Sequence, residues 1–213
     1  MTASQKFIIA AVALLAGVAA VYFGGQMVAR SQAFRGSLIE PSLAAADFSL
    51  AQTNGEDYTL ADQRGRVVLV FFGYTNCPDV CPLTLAEYRQ IYNQLGEQAD
   101  HVDFVFVTVD PQRDTPEVID EFVHAFNPDF IGLTGTDEQL QAAWDAYWVG
   151  RQVPFIEDSD DGHEEGEAHS DGYEVSHSTR IYVIDKLGNL RLTFPFGMSA
   201  LDMAHDVSRL LSE

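Results

Sequence analysis

Cys77 and Cys81 are the two cysteines of the chain, four positions apart in Gly73-Tyr-Thr-Asn-Cys77-Pro-Asp-Val-Cys81-Pro82. Thiols so spaced suit two kinds of chemistry: closing a disulfide, or clasping a soft metal ion. The run before them, Val67-Val-Leu-Val-Phe-Phe72, is continuously apolar and predicts a fully buried strand. Pro82 is at home in a first helical turn. The thiols therefore fall where a strand hands over to a helix. Backbone N–H groups and the helix dipole favour negative charge there, which lowers a thiol pKa. With Cys77 at the helix start, the i, i+4 relation puts both sulfurs on one face. A purely stabilising disulfide is the plainer alternative, but so short a loop contributes little through chain entropy. Two cysteines are also too few for a disulfide scaffold.

Of six histidines, His177 stands out, in Tyr173-Glu-Val-Ser-His177-Ser-Thr directly before a predicted strand. Taken alone, it is an ordinary loop histidine more often than a ligand. His101, His124 and His205 lie on or beside regular elements and read as structural. Glu157 to Glu174 holds nine acidic residues, His163 and His169, three glycines and no Lys or Arg. It is too long and polar for a tight connection and reads as a surface insertion. A solvated loop accounts for His163 and His169 more simply than a metal site does.

The elements that must position the thiols follow from pattern. A second strand spans Val102 to Val109. Thr115-Pro116-Glu117 starts a helix running to about Phe126, with Thr as N-cap and Pro at the first position. Ile131 to Leu133 is short and apolar, and Thr136 caps a helix through Trp148. Thr179–Asp185 and Leu190–Phe194 alternate around Lys186-Leu-Gly-Asn189 as a hairpin. Ser199 caps a last helix, Ala200 to Leu211. Strand–helix alternation followed by a hairpin and a helix predicts an α/β fold: a thioredoxin-like mixed sheet flanked by helices.

Phe7 to Val28 contains 22 residues without a charge, between Lys6 and Arg30, long enough to cross about 30 Å of hydrocarbon. A cleaved signal peptide has a shorter apolar region, and no convincing A-x-A site follows the span before Arg30. The expected organisation is an uncleaved N-terminal transmembrane anchor (1–30), a tether (31–46) and one domain (47–213) carrying the acidic insertion (157–174). Six residues before the span leave no room for a transit peptide, which favours a bacterial cytoplasmic membrane protein. The chain has 12 Lys+Arg against 32 Asp+Glu and a net charge of -20, every acid lying beyond residue 35. That balance excludes phosphate-backbone binding, so no nucleic acid is expected.

In four stretches the chain resembles the Sco/SenC family, copper-binding assembly factors of cytochrome c oxidase. They are Phe72-Gly-Tyr-Thr-Asn-Cys-Pro-Asp-Val-Cys-Pro82, Val109-Asp-Pro-Gln-Arg-Asp-Thr-Pro-Glu117, Phe130-Ile-Gly-Leu-Thr-Gly135, and His177-Ser-Thr-Arg-Ile-Tyr-Val-Ile-Asp185 with Gly188. The likeness runs in consistent order from about Asp47 to Leu211. It implies one copper ion held by Cys77, Cys81 and His177. Many relatives have His where Asn76 stands and Asp where Ser176 stands. Neither position is a ligand, so metal binding survives, with scope for different tuning. Asp79 reads as an acid at the turn and helix N-terminus, and Asp110 and Arg113 as braces of the site or of the Asp-Pro turn.

Copper(I) prefers thiolate and copper(II) accepts imidazole, so two thiols and one imidazole hold either state. Three protein ligands leave room for an incoming thiolate, which suits delivery. The implied function is that of a metallochaperone, not an enzyme, with the domain on the outer (periplasmic or extracellular) face of the membrane. The expected partners are the copper-bearing oxidase subunit and another copper chaperone as donor. The competing class is a thiol–disulfide reductase acting through Cys77 and Cys81, although redox motifs of thioredoxin type usually space their cysteines by two residues. The acidic insertion suits a cationic donor or acceptor surface, and solubility also accounts for it.

Overall fold

The structure, a computed structural model, describes residues 5, 14, 15, 17–19, 21, 22, 33–150 and 178–213. The chain divides into two compact units, Met1–Arg35 and Gly36–Glu213. In the first, residues 5, 14, 15, 17–19, 21 and 22 are helical. Among the described residues no helix is long and apolar enough to cross a membrane. Most of the expected span, 7–28, lies outside them.

The second unit is built on one sheet. Its strands are β1 (Ser37–Ala44), β2 (Ser49–Gln52), β3 (Asp57–Thr59), β4 (Val67–Gly73), β5 (Val102–Thr108), β6 (Ile131–Thr134), β7 (Ile181–Ile184) and β8 (Asn189–Phe194). They lie in the order β1-β8-β7-β4-β5-β6-β2-β3. Only β4–β5 and β5–β6 pair in parallel, so the sheet is mixed. The helices are α1 (Val80–Leu95), α2 (Pro116–His124), α3 (Asp137–Ala146) and α4 (Ala200–Ser212). The expectation of a mixed sheet covered by helices holds.

Central position explains the apolar runs: every residue of β4 and of β5 is buried. On one face Phe104 meets Tyr88 and Tyr92 of α1, and Phe106 meets Phe122 of α2. On the other, Phe72 packs on Tyr182 and Tyr147, and Phe48 on Tyr147. Side chains of β4 and β5 thus feed two apolar layers, one on each face of the sheet. The helix starts obey their caps. Thr115 and Ser199 accept amide hydrogen bonds from Val118 and Asp202, and Thr136 with Gln139 forms a reciprocal capping box. The hairpin turn is held by the Asp185 carboxylate, which accepts from the amides of Leu187 and Asn189, with Gly188 at φ 83°.

Three details differ from the sequence expectation. Ser37–Ala44, expected within a tether, is strand β1 against β8. It lies at the sheet edge and is largely exposed, so it carries no burial signal. The helix α3 stops at Ala146 and not at Trp148, because Trp148 turns left-handed (φ 53°). The helix α1 begins at Val80, so Cys77 lies in the turn before the helix, not at its start, while Cys81 is in its first turn.

Candidate metal centre

The thiols sit at the end of the sheet where the parallel strands β4 and β5 finish. Such ends collect ligand sites in open α/β sheets because the loops there leave the core together. Gly73 closes β4, and its carbonyl accepts the Val109 amide (2.8 Å), joining the two loops at their base. A Cβ on Gly73 would lie 2.8 Å from Phe71 and Phe106 and 2.9 Å from Cys81 Sγ. The missing side chain is therefore what lets Cys81 seat against the strand. Beyond Gly73 the chain turns, with the Cys77 amide on the Tyr74 carbonyl at 3.3 Å.

The two thiols are unequal. Cys81 is fully buried and Cys77 only partly so. Cys81 donates its S–H to the Cys77 sulfur, and this bond is the largest influence pulling Cys77 down to about 5. Burial opposes the shift, and hydrogen bonds from the backbone at Cys81, Asp79 and Val80 assist it. These last are the unpaired N–H groups expected where a helix begins. Cys81 is pushed far up, first by its bond to Cys77 and next by burial. Near neutral pH the pair carries one proton and one negative charge, with the charge on the more accessible sulfur.

A buried polar frame holds the turn. The Asp114 carboxylate, 1 % exposed, accepts from the Thr75 amide (3.2 Å to each oxygen), the Thr75 hydroxyl (2.6 Å) and the Thr108 hydroxyl (2.7 Å). Thr108 Oγ1 in turn accepts the Asp110 amide at 2.9 Å. Arg113 donates Nε to the buried Asp110 carboxylate and stands over the Tyr74 ring, 5.8 Å from its centroid. The Asp110–Arg113 pair thus shapes its own turn, and Arg113 also reaches the cysteine loop. Asp79 occupies the N-cap of α1 but makes no side-chain capping bond.

His177 lies outside the described residues, as do the insertion 157–174, His163 and His169. The described chain resumes at Ser178, whose Oγ is 3.4 Å from the Tyr182 hydroxyl, itself donating to the Tyr147 carbonyl at 2.6 Å. Because β7 runs antiparallel to β4, with Ile181 opposite Phe71, this chain enters the sheet at the dithiol end. His124 pairs with Asp120 (3.2 Å) and His205 with Asp206 (3.0 Å). Among the described residues no three His, Cys, Asp or Glu side chains are grouped as a metal cage, so the described part of the centre is the dithiol. Sequence reasoning missed Gly73, Thr75, Thr108 and Asp114. The available signal was that Gly73 and Thr75 fall in the quoted Phe72–Pro82 stretch and Asp114 in the quoted Val109–Glu117 stretch; Thr108 lies in neither.

Comparison with known proteins agrees with this geometry. The sequence pattern of the SCO1/SenC family matches residues 37–212. A SCO2-like protein of Rickettsia prowazekii is 36% identical over 156 residues, 73% of this chain and 71% of its own length. The copper-bound structure of ScoI from Bradyrhizobium japonicum is 31% identical with a TM-score of 0.67, covering 78% of this chain and 99% of that one. Copper-bound yeast Sco1 gives a TM-score of 0.67 at 26% identity, covering 81% and 90%. The helix-covered mixed sheet is accordingly the thioredoxin-like arrangement these structures share. With its family pattern spanning almost the whole second unit and its dithiol at the head of α1, the chain belongs to the SCO1/SenC family.

Proposed function

We propose that this protein is a membrane-anchored copper metallochaperone that holds one copper ion between Cys77, Cys81 and His177. It passes the ion to the binuclear copper site of the copper-bearing subunit of cytochrome c oxidase. The observation that carries the reading is geometric: at the end of the sheet a partly exposed Cys77 meets Cys81, which is fully buried against Gly73. A soft cation suits such a pair, since metal binding displaces thiol protons. Copper-bound relatives of the same fold support the choice of metal. Cys77, already ionised, makes the first bond, and Cys81 releases its proton as the second forms. His177 completes the set from the chain that re-enters at the dithiol end. Three protein ligands leave copper open to an acceptor thiolate, which exchanges one sulfur for another without a free ion. The uncharged 22-residue stretch 7–28 supports a single-pass anchor in a bacterial cytoplasmic membrane, with the domain on its outer face. Another copper chaperone serves as donor.

The same asymmetry supports a second reading, a thiol–disulfide reductase. Cys77 thiolate attacks an acceptor disulfide, forming a mixed disulfide and releasing one acceptor thiolate. Cys81 then attacks Cys77, releasing the second. Two electrons pass to the acceptor, and Cys77 and Cys81 end as a disulfide. One experiment separates the two. The copper-loaded full-length chain is mixed with the reduced copper-bearing domain of the oxidase, and the metal-free dithiol with its oxidised form. Copper transfer without disulfide reduction is the expected result; reduction without transfer would overturn the chaperone reading.

A further inference from the structure

The thiol loop lacks the usual local brace. Its helix begins with Asp79 at the N-cap, yet the Asp79 side chain makes no capping bond. The bracing comes instead from another element, the chain that leaves β5. There the Asp114 carboxylate takes the Thr75 amide and hydroxyl, two residues before Cys77, and is steadied from behind by the Thr108 hydroxyl at 2.7 Å. Burying a carboxylate is costly unless its oxygens are filled, and a neutral amide would cost less to bury. A carboxylate has one advantage at this place: it only accepts, and each of the three groups facing it is a donor. Asn offers one accepting oxygen where Asp offers two; its NH2 would have to donate to one of the two hydroxyls, reversing that bond, and the charge would be lost. Hydrogen bonds to a charged acceptor are about twice as strong as neutral ones, so Thr75 is held tightly. From Thr75 the restraint passes along the short turn to Cys77, whose amide is tied back to Tyr74. At the far end of the turn Cys81 is wedged against Gly73.

We propose that Asp114 is a positioning residue of the dithiol: by holding Thr75 from the chain that leaves β5, it fixes the turn that carries Cys77 and so sets how the two sulfurs meet. It acts through Thr75 and touches no metal ion. The proposal deepens the copper reading, but it also applies to the thiols alone, and the two can fail separately.

The test uses the full-length chain with Asp114→Asn, Thr75→Val and Thr75→Ser. The metal-free dithiol–disulfide equilibrium is measured in a dithiothreitol buffer, copper(II) affinity by chelator competition, and stability by thermal unfolding. Loss of the brace is expected to shift the thiol equilibrium in Asp114→Asn and Thr75→Val and to weaken copper binding by about 10–100-fold, the usual effect of removing a group that orients a metal ligand. Thr75→Ser, which keeps the hydroxyl, is expected to match the parent protein in both. A lower melting temperature in Asp114→Asn and Thr75→Val, with thiol equilibrium and copper affinity unchanged, would reduce Asp114 to a fold-stabilising residue and overturn the proposal. If Asp114→Asn does not fold, the Thr75→Val and Thr75→Ser pair decides the matter by the same readouts. A shifted thiol equilibrium in a protein that binds no copper would sustain the proposal and defeat the copper reading instead.

Discussion

Replacing Cys81 by Ala removes the S–H donor that does most to ionise Cys77. In the parent protein Cys77 falls from 9.0 to about 5, so at pH 7 thiolate exceeds thiol by about 100 to 1. Without the donor, Cys77 moves back toward its ordinary value; a full return would leave only about 1 in 100 ionised at pH 7, and the backbone hydrogen bonds that remain make that the limit. A simple count of thiolate would predict a large fall in reactivity at neutral pH, but a weaker acid makes a better nucleophile. With a Brønsted slope of about 0.45, four pK units raise the intrinsic rate by about 60-fold, which offsets most of the lost ionisation at pH 7. The two proteins should therefore react with a small disulfide at similar rates near neutrality and diverge on either side. At pH 5.5 the parent should be faster by up to about 40-fold, and at pH 9 the variant by up to about 30-fold. The assay is release of the leaving thiol under excess reagent, with mass spectrometry placing the adduct. Parallel profiles, or a parent inflection near pH 9, would refute the shared-proton account of the pair.

Gly73→Ala inserts a Cβ 2.8 Å from two phenyl rings and 2.9 Å from Cys81 Sγ. Overpacking of this kind costs about 1–3 kcal/mol, so thermal unfolding should fall by several degrees, with copper affinity reduced as Cys81 is displaced. Tyr58→Phe removes the hydroxyl that donates to buried Asp103 at 3.0 Å, leaving that carboxylate to Arg66 at 2.6 Å. A loss of about 1.5–3 kcal/mol is expected in urea unfolding, with unchanged copper binding because Asp103 lies at the opposite end of β5. Stability should also depend on pH through the thiols. Cys77 is depressed on folding, so its contribution is present above pH 9 and lost as pH falls toward about 5. Cys81 is raised, so stability falls again once pH passes the ordinary thiol range. The stability difference between the parent protein and Cys77→Ser should accordingly grow from about pH 5 to 9.

The legible parts of this fold were those whose signal is burial or capping. Val67–Phe72 is apolar throughout because β4 lies between two apolar layers, and Thr115, Thr136 and Ser199 bond the amides their positions imply. The illegible parts lack that signal. Strand β1 is an exposed edge containing Pro41, so it reads as linker, and β2 and β3 are too short for a pattern. Trp148 adopts a left-handed backbone that a Trp side chain does not advertise. At the site, the cysteines declared themselves by spacing and by the strand before them. Asp114 did not, because an acid in a polar loop reads as solvated until the fold shows Thr75 and Thr108 aimed at it.

The central claim is that Cys77, Cys81 and His177 together hold copper. Anaerobic titration of the reduced full-length chain with copper, beside Cys77→Ser, Cys81→Ser and His177→Ala, tests it most directly. One tightly held equivalent is expected in the parent protein, abolished in each cysteine variant. In His177→Ala copper(II) should bind more weakly, with an altered visible spectrum. Stoichiometric binding that persists in all three variants would contradict the account.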